Sequence, residues 1–237
     1  MLVESKTISF DDFITWLPER SPYRYELRDG EILEMPKPRG KHSEIAGLIS
    51  GKLFLEITRL GLPYLTPKEL IVKSIDGSSG YEPDVIVLDK EMLAQDLRWE
   101  AESIITQGSS VKLAVEVVST NWQDDYAVKQ IAYQALGIQE YWIVDYLGLG
   151  GRTFIGHPKQ PTISVYYLID GEYDLHQFRG SELIQSPTFP ELELSIDLLS
   201  LISWVPICIK KILPKFQMDN KYLPNGLYFL SMFVQIS

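Results

Sequence analysis

The sequence has almost no cysteine and no long apolar run. Its single cysteine, Cys208, cannot form a disulfide within the chain, and this fits a reducing compartment. The first ten residues, MLVESKTISF, carry charges where a secretory signal would need an apolar stretch. The longest apolar region, Leu198–Ile209, is interrupted by Ser200, Ser203 and Pro206 and is too broken to span a membrane. We therefore expect a cytoplasmic protein with no membrane partner.

The sequence is also short of basic residues. It has 22 Lys and Arg against 32 Asp and Glu, a net charge of −10. A phosphate backbone repels such a charge on average, which argues against a surface covered in nucleic-acid-binding sites. A local basic groove stays compatible with it, and an acidic cluster that binds a divalent metal becomes much less negative. The glycine-rich phosphate loops of nucleotide-binding proteins are missing.

Hydrophobic patterning predicts a mixed α/β (α+β) fold. Asp29-Gly30 and Asp170-Gly171 each lie between alternating runs, which is the strongest short signal for a β-hairpin. Apolar residues at helical spacing predict helices over 8–17, 43–60 and 124–136, and valine-rich runs predict strands at 69–74, 84–88, 112–118 and 140–144. Hairpins combined with crossover helices favour a mixed central sheet flanked by helices. We expect one domain over residues 1–200 and a C-terminal extension of unknown role over 201–237.

Two acids lie in strands that are otherwise apolar. Glu116 shares one face of its strand with Ala114 and Val118, and Asp84 begins a valine-rich strand. A buried, unpaired carboxylate is costly and either becomes neutral or finds a cation. On neighbouring strands the two acids would repel each other unless a cation lay between them. A hard divalent ion such as Mg²⁺, which uses one or two carboxylates and keeps several waters, would satisfy both.

Such an ion points to phosphodiester hydrolysis. It can orient a water, lower the pKa of that water and neutralise charge on the phosphate. Lys129 lies on a helix that begins only five residues after Ser119, so it can fold back towards the strand end and add a positive charge there. Each feature alone has an ordinary structural explanation: a strand acid can be satisfied by hydrogen bonds, Lys129 can be solvated, and His42 can be a surface or capping residue.

The order of these residues resembles a known family. Pro83-Asp84, Glu116-Val-Val-Ser119, Asp125-x3-Lys129-x3-Tyr133-x3-Gly137 and Glu-Tyr-Trp-Ile-Val-Asp at 140–145 look like the motifs of the Uma family of restriction endonucleases, within the PD-(D/E)XK nuclease superfamily. Residues around the first hairpin, together with His42, match as well. The resemblance covers roughly residues 8 to 199.

The resemblance implies a restriction-endonuclease-like fold, a Mg²⁺ or Mn²⁺ cofactor and cleavage of nucleic acid, with DNA as the expected substrate. Carried over residue by residue, Asp84 and Glu116 match the metal-binding acids, and Glu26 matches an acid that would complete the site. The superfamily places a lysine two residues after the second acid, where this sequence has Val118. The resemblance assigns that role to Lys129. A homodimer is also expected, since cutting both strands of a duplex favours two sites related by a two-fold axis.

Two other functions stay open at this stage. A catalytically inactive relative could keep the nuclease fold as a binding or assembly module, which the net charge and the displaced lysine favour. A hydrolase acting on another substrate, such as a glycosidase, could use paired carboxylates, but it would leave Lys129 without a role. The distances among Asp84, Glu116 and Lys129 discriminate between these hypotheses.

Overall fold

The chain folds into helices and strands, and the strands form two sheets. The structure is a computed structural model that describes residues 7–38 and 40–202. From residue 203 onwards the predicted C-terminal extension lies outside the described residues. The helices are α1 (Phe10–Trp16), α2 (Lys41–Leu60), α3 (Lys90–Leu93), α4 (Trp99–Glu102), a π-helix (Asp124–Lys129), α5 (Gln130–Leu136), α6 (Arg152–Ile155) and α7 (Ile196–Ile202). The strands are β1 (Tyr23–Arg28), β2 (Glu31–Pro36), β3 (Tyr64–Leu65), β4 (Ile71–Lys73), β5 (Gly80–Tyr81), β6 (Val85–Asp89), β7 (Ile104–Ile105), β8 (Val111–Val117), β9 (Glu140–Asp145), β10 (Thr162–Ile169) and β11 (Glu172–Phe178).

The larger sheet is mixed and has six strands in the order β11-β10-β9-β8-β6-β3. Strands β8 and β9 are parallel, and the helical segment over 124–136 connects them. The other pairings, β10–β11, β9–β10, β6–β8 and β3–β6, are antiparallel. A parallel pair needs a crossover connection, and the helical segment over 124–136 provides it for β8 and β9.

The smaller sheet carries the first predicted hairpin. Its five strands run in the order β2-β1-β5-β4-β7. Asp29 and Gly30 both have positive φ in the turn between β1 and β2, as the Asp-Gly signal predicts for a tight hairpin. The predicted fold class, mixed sheet with flanking helices, is confirmed. The structure adds that the strands divide between two sheets, because β1 pairs with β2 on one side and with β5 on the other, and neither hairpin strand joins the six-stranded sheet.

Helix α2 covers one face of the six-stranded sheet. Its buried residues Ile45, Ile49, Leu53 and Ile57 recur at helical spacing and pack against inward-facing residues of β6 and β8. Gly61 ends the helix in the left-handed conformation, as glycine at this position commonly does. This stripe matches the predicted helix over 43–60, which begins two residues earlier in the structure.

The opposite face of the same sheet packs against the crossover segment. Ile86, Ala114 and Ile143 of the sheet form one cluster with Tyr126, Tyr133 and other aromatic residues. Even-numbered residues of β6 and β8 therefore face this segment and odd-numbered residues face α2, except at Val111, where the β6–β8 register shifts. Trp142 and Tyr141 are fully buried. No helix of the described residues is long and apolar enough to cross a membrane.

The sequence patterns missed the shortest strands and one helix type. Strands β3, β5 and β7 have only two residues each, too few to show an alternation. The predicted helix over 124–136 begins as a π-helix and becomes an α-helix at Gln130. Single-turn π-helical segments are frequent at functional sites, and this one carries the lysine that the sequence singles out.

Candidate active site

Strand register brings Asp84 and Glu116 together. In the antiparallel pair β6–β8, Val85 is opposite Val115 and Ile86 is opposite Ala114, so Asp84 continues the ladder opposite Glu116. The backbone N–H of Val117 donates a hydrogen bond to Asp84 Oδ2 at 2.8 Å. Both acids are buried, with side chains 4% and 3% exposed. The predicted arrangement of two acids on neighbouring strands is therefore present.

Lys129 reaches the acids from the crossover segment. Its Nζ lies 3.1 Å from Glu116 Oε2, 3.0 Å from Glu26 Oε1 and 3.8 Å from an oxygen of Asp125. The lysine side chain is only 7% exposed. It is thus an internal cation at the centre of three carboxylates and not a solvated surface lysine. Asp125 and Lys129 are four residues apart, and in a π-helix that spacing nearly completes a turn and keeps both side chains on one face.

Glu26 belongs to the first hairpin, which is the third structural element of the site. It is 1% exposed and also accepts a hydrogen bond from the backbone N–H of Glu82 at 3.1 Å. Alternation along β1 directs Arg24, Glu26 and Arg28 to the same face. All three form charge pairs with other elements: Arg24 with Asp84, Glu26 with Lys129 and Arg28 with Asp124.

Asp84 is held by two further side chains. Arg24 Nη1 lies 3.1 Å from Asp84 Oδ1, and His42 Nε2 lies 3.1 Å from Asp84 Oδ2. His42 is in the first turn of α2 with a side chain only 11% exposed. The interpretation of His42 as a surface or capping residue is therefore wrong, because the first turn of α2 is turned towards Asp84, directly before the start of β6.

The remaining oxygen of Glu116 is bound by a phenol. Tyr133 donates from its hydroxyl to Glu116 Oε1 at 3.0 Å, and both side chains are buried. Tyr133 lies four residues after Lys129, so α5 continues the same face that the π-helix presents to the sheet. All four oxygens of the acid pair thus have a donor from another part of the chain.

These residues line a pocket of about 190 Å³. It reaches from the end of β2, at Met35 and Pro36, to the loop after β8. The polar side chains on its wall are Arg24, Glu26, His42, Asp84, Glu116, Ser119, Thr120, Asn121, Asp124, Asp125 and Lys129. A pocket of this volume holds several waters or one small anionic group.

Burial and close charges shift the pKa values of the site in different directions. Burial raises the pKa of Glu116 well above its usual value, and the ammonium of Lys129 opposes this. Burial also raises the pKa of Asp125, to about 7. Burial would lower the pKa of Lys129, but the surrounding carboxylates, Glu116 first, raise it well above its usual value.

Asp84 behaves differently from the other acids. Burial would raise its pKa, but His42 and Arg24 lower the pKa below its usual value. The site therefore pairs an acid that stays ionised with an acid that is costly to ionise. A pair of titratable groups pushed apart in this way is typical of catalytic sites.

The donor set fits a hard divalent cation. Carboxylate oxygens of Asp84 and Glu116 lie on one pocket wall, with Glu26 and Asp125 beside them. No group of three or more His, Cys, Asp or Glu within residues 7–38 and 40–202 is already arranged to hold a metal. Mg²⁺ needs only one or two carboxylates because it keeps several waters.

Sequence reasoning singled out four site residues and assigned no site role to three others. Asp84, Glu116, Lys129 and Glu26 all lie in the pocket. Asp125 and Tyr133 enter the sequence analysis only as parts of a motif, and Arg24 does not enter it. One signal was available: the alternation Arg24-x-Glu26-x-Arg28 places three charges on one face of a hairpin, an unusual pattern for a strand that faces a core.

Comparison with known proteins places the chain in a family. The model of the Uma2 family, described as "Putative restriction endonuclease", matches residues 10–197, so the chain belongs to that family. A solved structure from Anabaena variabilis ATCC 29413, described as a putative nuclease belonging to DUF820, has the same fold. It superposes with a TM-score of 0.62 at 24% identity, covering 81% of this chain and 98% of that one. No match was found among curated proteins.

Proposed function

We propose that the protein is a metal-dependent endonuclease that hydrolyses phosphodiester bonds in DNA, with Mg²⁺ or Mn²⁺ as its cofactor. The observation that carries the proposal is the convergence of Asp84, Glu116 and Lys129 in one pocket, with Lys129 Nζ 3.1 Å from Glu116 Oε2. These residues come from three separate elements, and the family membership gives nuclease chemistry a prior that the geometry alone would lack.

The chain's own residues divide the work of hydrolysis. Asp84 and Glu116 would hold the metal, which supplies an activated water and neutralises charge on the phosphate. Lys129 supplies a fixed positive charge where negative charge develops on the phosphate oxygens. Glu26 and Asp125 hold the ammonium in place, 3.0 Å and 3.8 Å away. The side chains of Lys129, Glu26 and Glu116 are at most 7% exposed, so these charges interact more strongly than they would in water.

The substrate and the oligomeric state are parts of the same proposal. The net charge of −10 predicts few phosphate contacts beyond the pocket and hence a weak salt dependence of binding. A homodimer would place two pockets on opposite strands of a duplex. Analytical ultracentrifugation of the full chain, with and without a DNA duplex, tests the dimer independently of cleavage.

The decisive experiment compares cleavage by the parent protein and Glu116→Ala. Linear and supercoiled DNA are incubated with Mg²⁺, Mn²⁺ or EDTA, and products are resolved on gels. We expect metal-dependent cleavage by the parent that Glu116→Ala lacks. Glu172→Ala, which removes an exposed acid at the start of β11, is the matched control and should cleave normally.

A second function has one observation in its favour. Every oxygen of the acid pair already has a hydrogen-bond or ion-pair donor from the chain, as a non-catalytic binding or assembly module would require. In that case the parent protein would cleave no faster than Glu116→Ala in either metal, and calorimetry would detect no Mn²⁺ binding that Asp84→Asn removes.

A further inference from the structure

Arg24 occupies one side of Asp84, the acid that metal binding would need. Its Nη1 lies 3.1 Å from Asp84 Oδ1, while Oδ2 accepts from His42 and from the Val117 backbone. Oδ1 is therefore the less heavily bound oxygen, with Arg24 as its one donor among the described residues. A divalent ion at Oδ1 and the guanidinium of Arg24 would repel each other at this distance.

Arg24 also has bonding capacity that the resting structure leaves unused. Its Nε is buried and has no hydrogen-bond partner in the part of the chain that the structure describes. A guanidinium has five N–H donors in a planar fork that matches the oxygens of a phosphate. An unpaired buried donor is costly, so a ligand that supplies an acceptor at this point would recover that cost.

Arg24 lies at the border between two pockets. It lines the pocket that contains Glu116 and Lys129, and it also lines a neighbouring pocket of about 200 Å³ on the other side of Asp84. His42 and Asp84 line both pockets too. The side chain is 19% exposed, so solvent reaches part of it. It is therefore a partly exposed cation at the junction of the two cavities.

We propose that Arg24 exchanges partners during the reaction cycle: it neutralises Asp84 in the free protein and moves to a phosphate of the substrate strand when metal takes Asp84. This inference rests on the proposed nuclease function and names a further substrate-binding residue for it. The exchange couples the two ligands, because metal binding frees a phosphate ligand and phosphate binding frees a metal ligand. By linkage, each ligand then increases the affinity for the other by the same factor.

The exchange predicts that one variant, Arg24→Met, binds the metal more tightly and nucleic acid more weakly than the parent. Arg24→Met removes the cation that competes for Asp84, so the affinity for Mn²⁺ alone, measured by calorimetry without nucleic acid, should increase about five- to tenfold. The same variant should bind a fluorescein-labelled single-stranded oligodeoxynucleotide more weakly in fluorescence anisotropy. A residue with a merely structural role would weaken both, because a distorted pocket binds both ligands less well.

Arg28→Met is the matched control for the loss of a nearby positive charge. Arg28 lies on the same face of β1, but its partner is Asp124 and not a member of the acid pair. Its removal should leave the Mn²⁺ affinity within about twofold of the parent value, because a charge that is not in contact is screened. Arg24→Lys is a second variant that keeps the charge, and it should keep the parent metal affinity while losing part of the oligonucleotide affinity.

The outcomes separate this inference from the proposed function. If the parent binds Mn²⁺ and Arg24→Met binds it equally or more weakly, the exchange is wrong while the metal site stands. If Mn²⁺ binds to neither protein, both the exchange and the proposed metal-dependent function are wrong. Tighter Mn²⁺ binding by Arg24→Met supports the exchange. So does an increase in parent Mn²⁺ affinity on adding the oligonucleotide that Arg24→Met lacks. Thermal unfolding of each variant checks that the fold is retained.

Discussion

The hydroxyl of Tyr133 lies 3.0 Å from Glu116 Oε1 and donates a hydrogen bond to it inside the core. This hydrogen bond joins α5 to β8, one of the two central strands of the six-stranded sheet, at the proposed active site. It also leaves Glu116 Oε2 facing Lys129. A hydrogen bond to a charged acceptor is roughly twice as strong as one to a neutral acceptor, so its energy reports on the charge of Glu116.

Tyr133→Phe tests that charge. The substitution should lower the free energy of unfolding at pH 7 by about 1.5–3 kcal/mol if Glu116 is ionised. Tyr173→Phe is the control, because Tyr173 donates to a neutral backbone carbonyl, that of Ile138, at 2.9 Å, and should cost about 1 kcal/mol. Equal losses in urea unfolding would mean that Glu116 is neutral in the free protein.

Lys129→Met should be the most destabilising substitution in the pocket. Removing the ammonium leaves three buried carboxylates without their shared cation, and breaking a buried ion pair costs about 3–5 kcal/mol. The loss should be smaller at pH 5 than at pH 8, because protonating the carboxylates relieves their repulsion. Lys112→Met, which removes a more exposed lysine 3.4 Å from Asp89, should cost less than about 1 kcal/mol. If Lys129→Met also lost less than about 1 kcal/mol of unfolding free energy, the central position of its ammonium would be contradicted.

The sequence predicts those parts of the site that depend on alternation and on order along the chain. An acid in an apolar strand is visible as an exception to a pattern, which is how Asp84 and Glu116 were found. Register between β6 and β8 is not visible, because it depends on pairing across the sheet. The roles of Arg24 and His42 could not be predicted for the same reason: both contact Asp84 across more than forty residues of chain.

The helix types near Lys129 show a second limit. Apolar spacing over 124–136 predicts a helix, and a helix is present, but its first six residues are π-helical. The apolar pattern cannot distinguish the two, since either helix buries Tyr126 and Tyr133 against the sheet. Asp125 and Lys129 are buried on the same side of the segment because the other charged groups of the site pack around them. The helix propensities of the residues do not predict such packing.

Asp125 should make stability fall as pH rises through neutrality. Its pKa is raised from 3.8 to about 7 by burial, so the folded state binds a proton that the unfolded state has released between these values. The stabilisation is fully present below about pH 4 and is lost as pH rises through about 7. Compared with Asp125→Asn, the parent protein should lose about 2–3 kcal/mol of unfolding free energy between pH 5 and pH 8.

Urea unfolding at pH 5, 6, 7 and 8 measures the Asp125 effect. Asp124→Asn is the matched control, because it removes the adjacent carboxylate, whose side chain is 22% exposed and paired with Arg28. It should preserve the pH dependence of the parent. Parallel profiles for Asp125→Asn and the parent would show that the Asp125 carboxyl is not the source of the slope.

Metal addition should stabilise the protein through Asp84. A ligand that binds only the folded state stabilises it by about 2.7 kcal/mol at a hundredfold excess over its Kd. Mn²⁺ at that excess should therefore raise the unfolding midpoint of the parent, and EDTA should reverse the increase. Asp84→Asn should show no increase, because the amide cannot replace a carboxylate as an anionic ligand and leaves Arg24 unpaired beside it. Asp89→Asn, at the start of α3, removes an acid of the same strand outside the pocket and should respond to Mn²⁺ like the parent. If Asp84→Asn and the parent gained equally, the ion would be binding elsewhere on this acidic chain, and the acid pair would need a function other than metal binding.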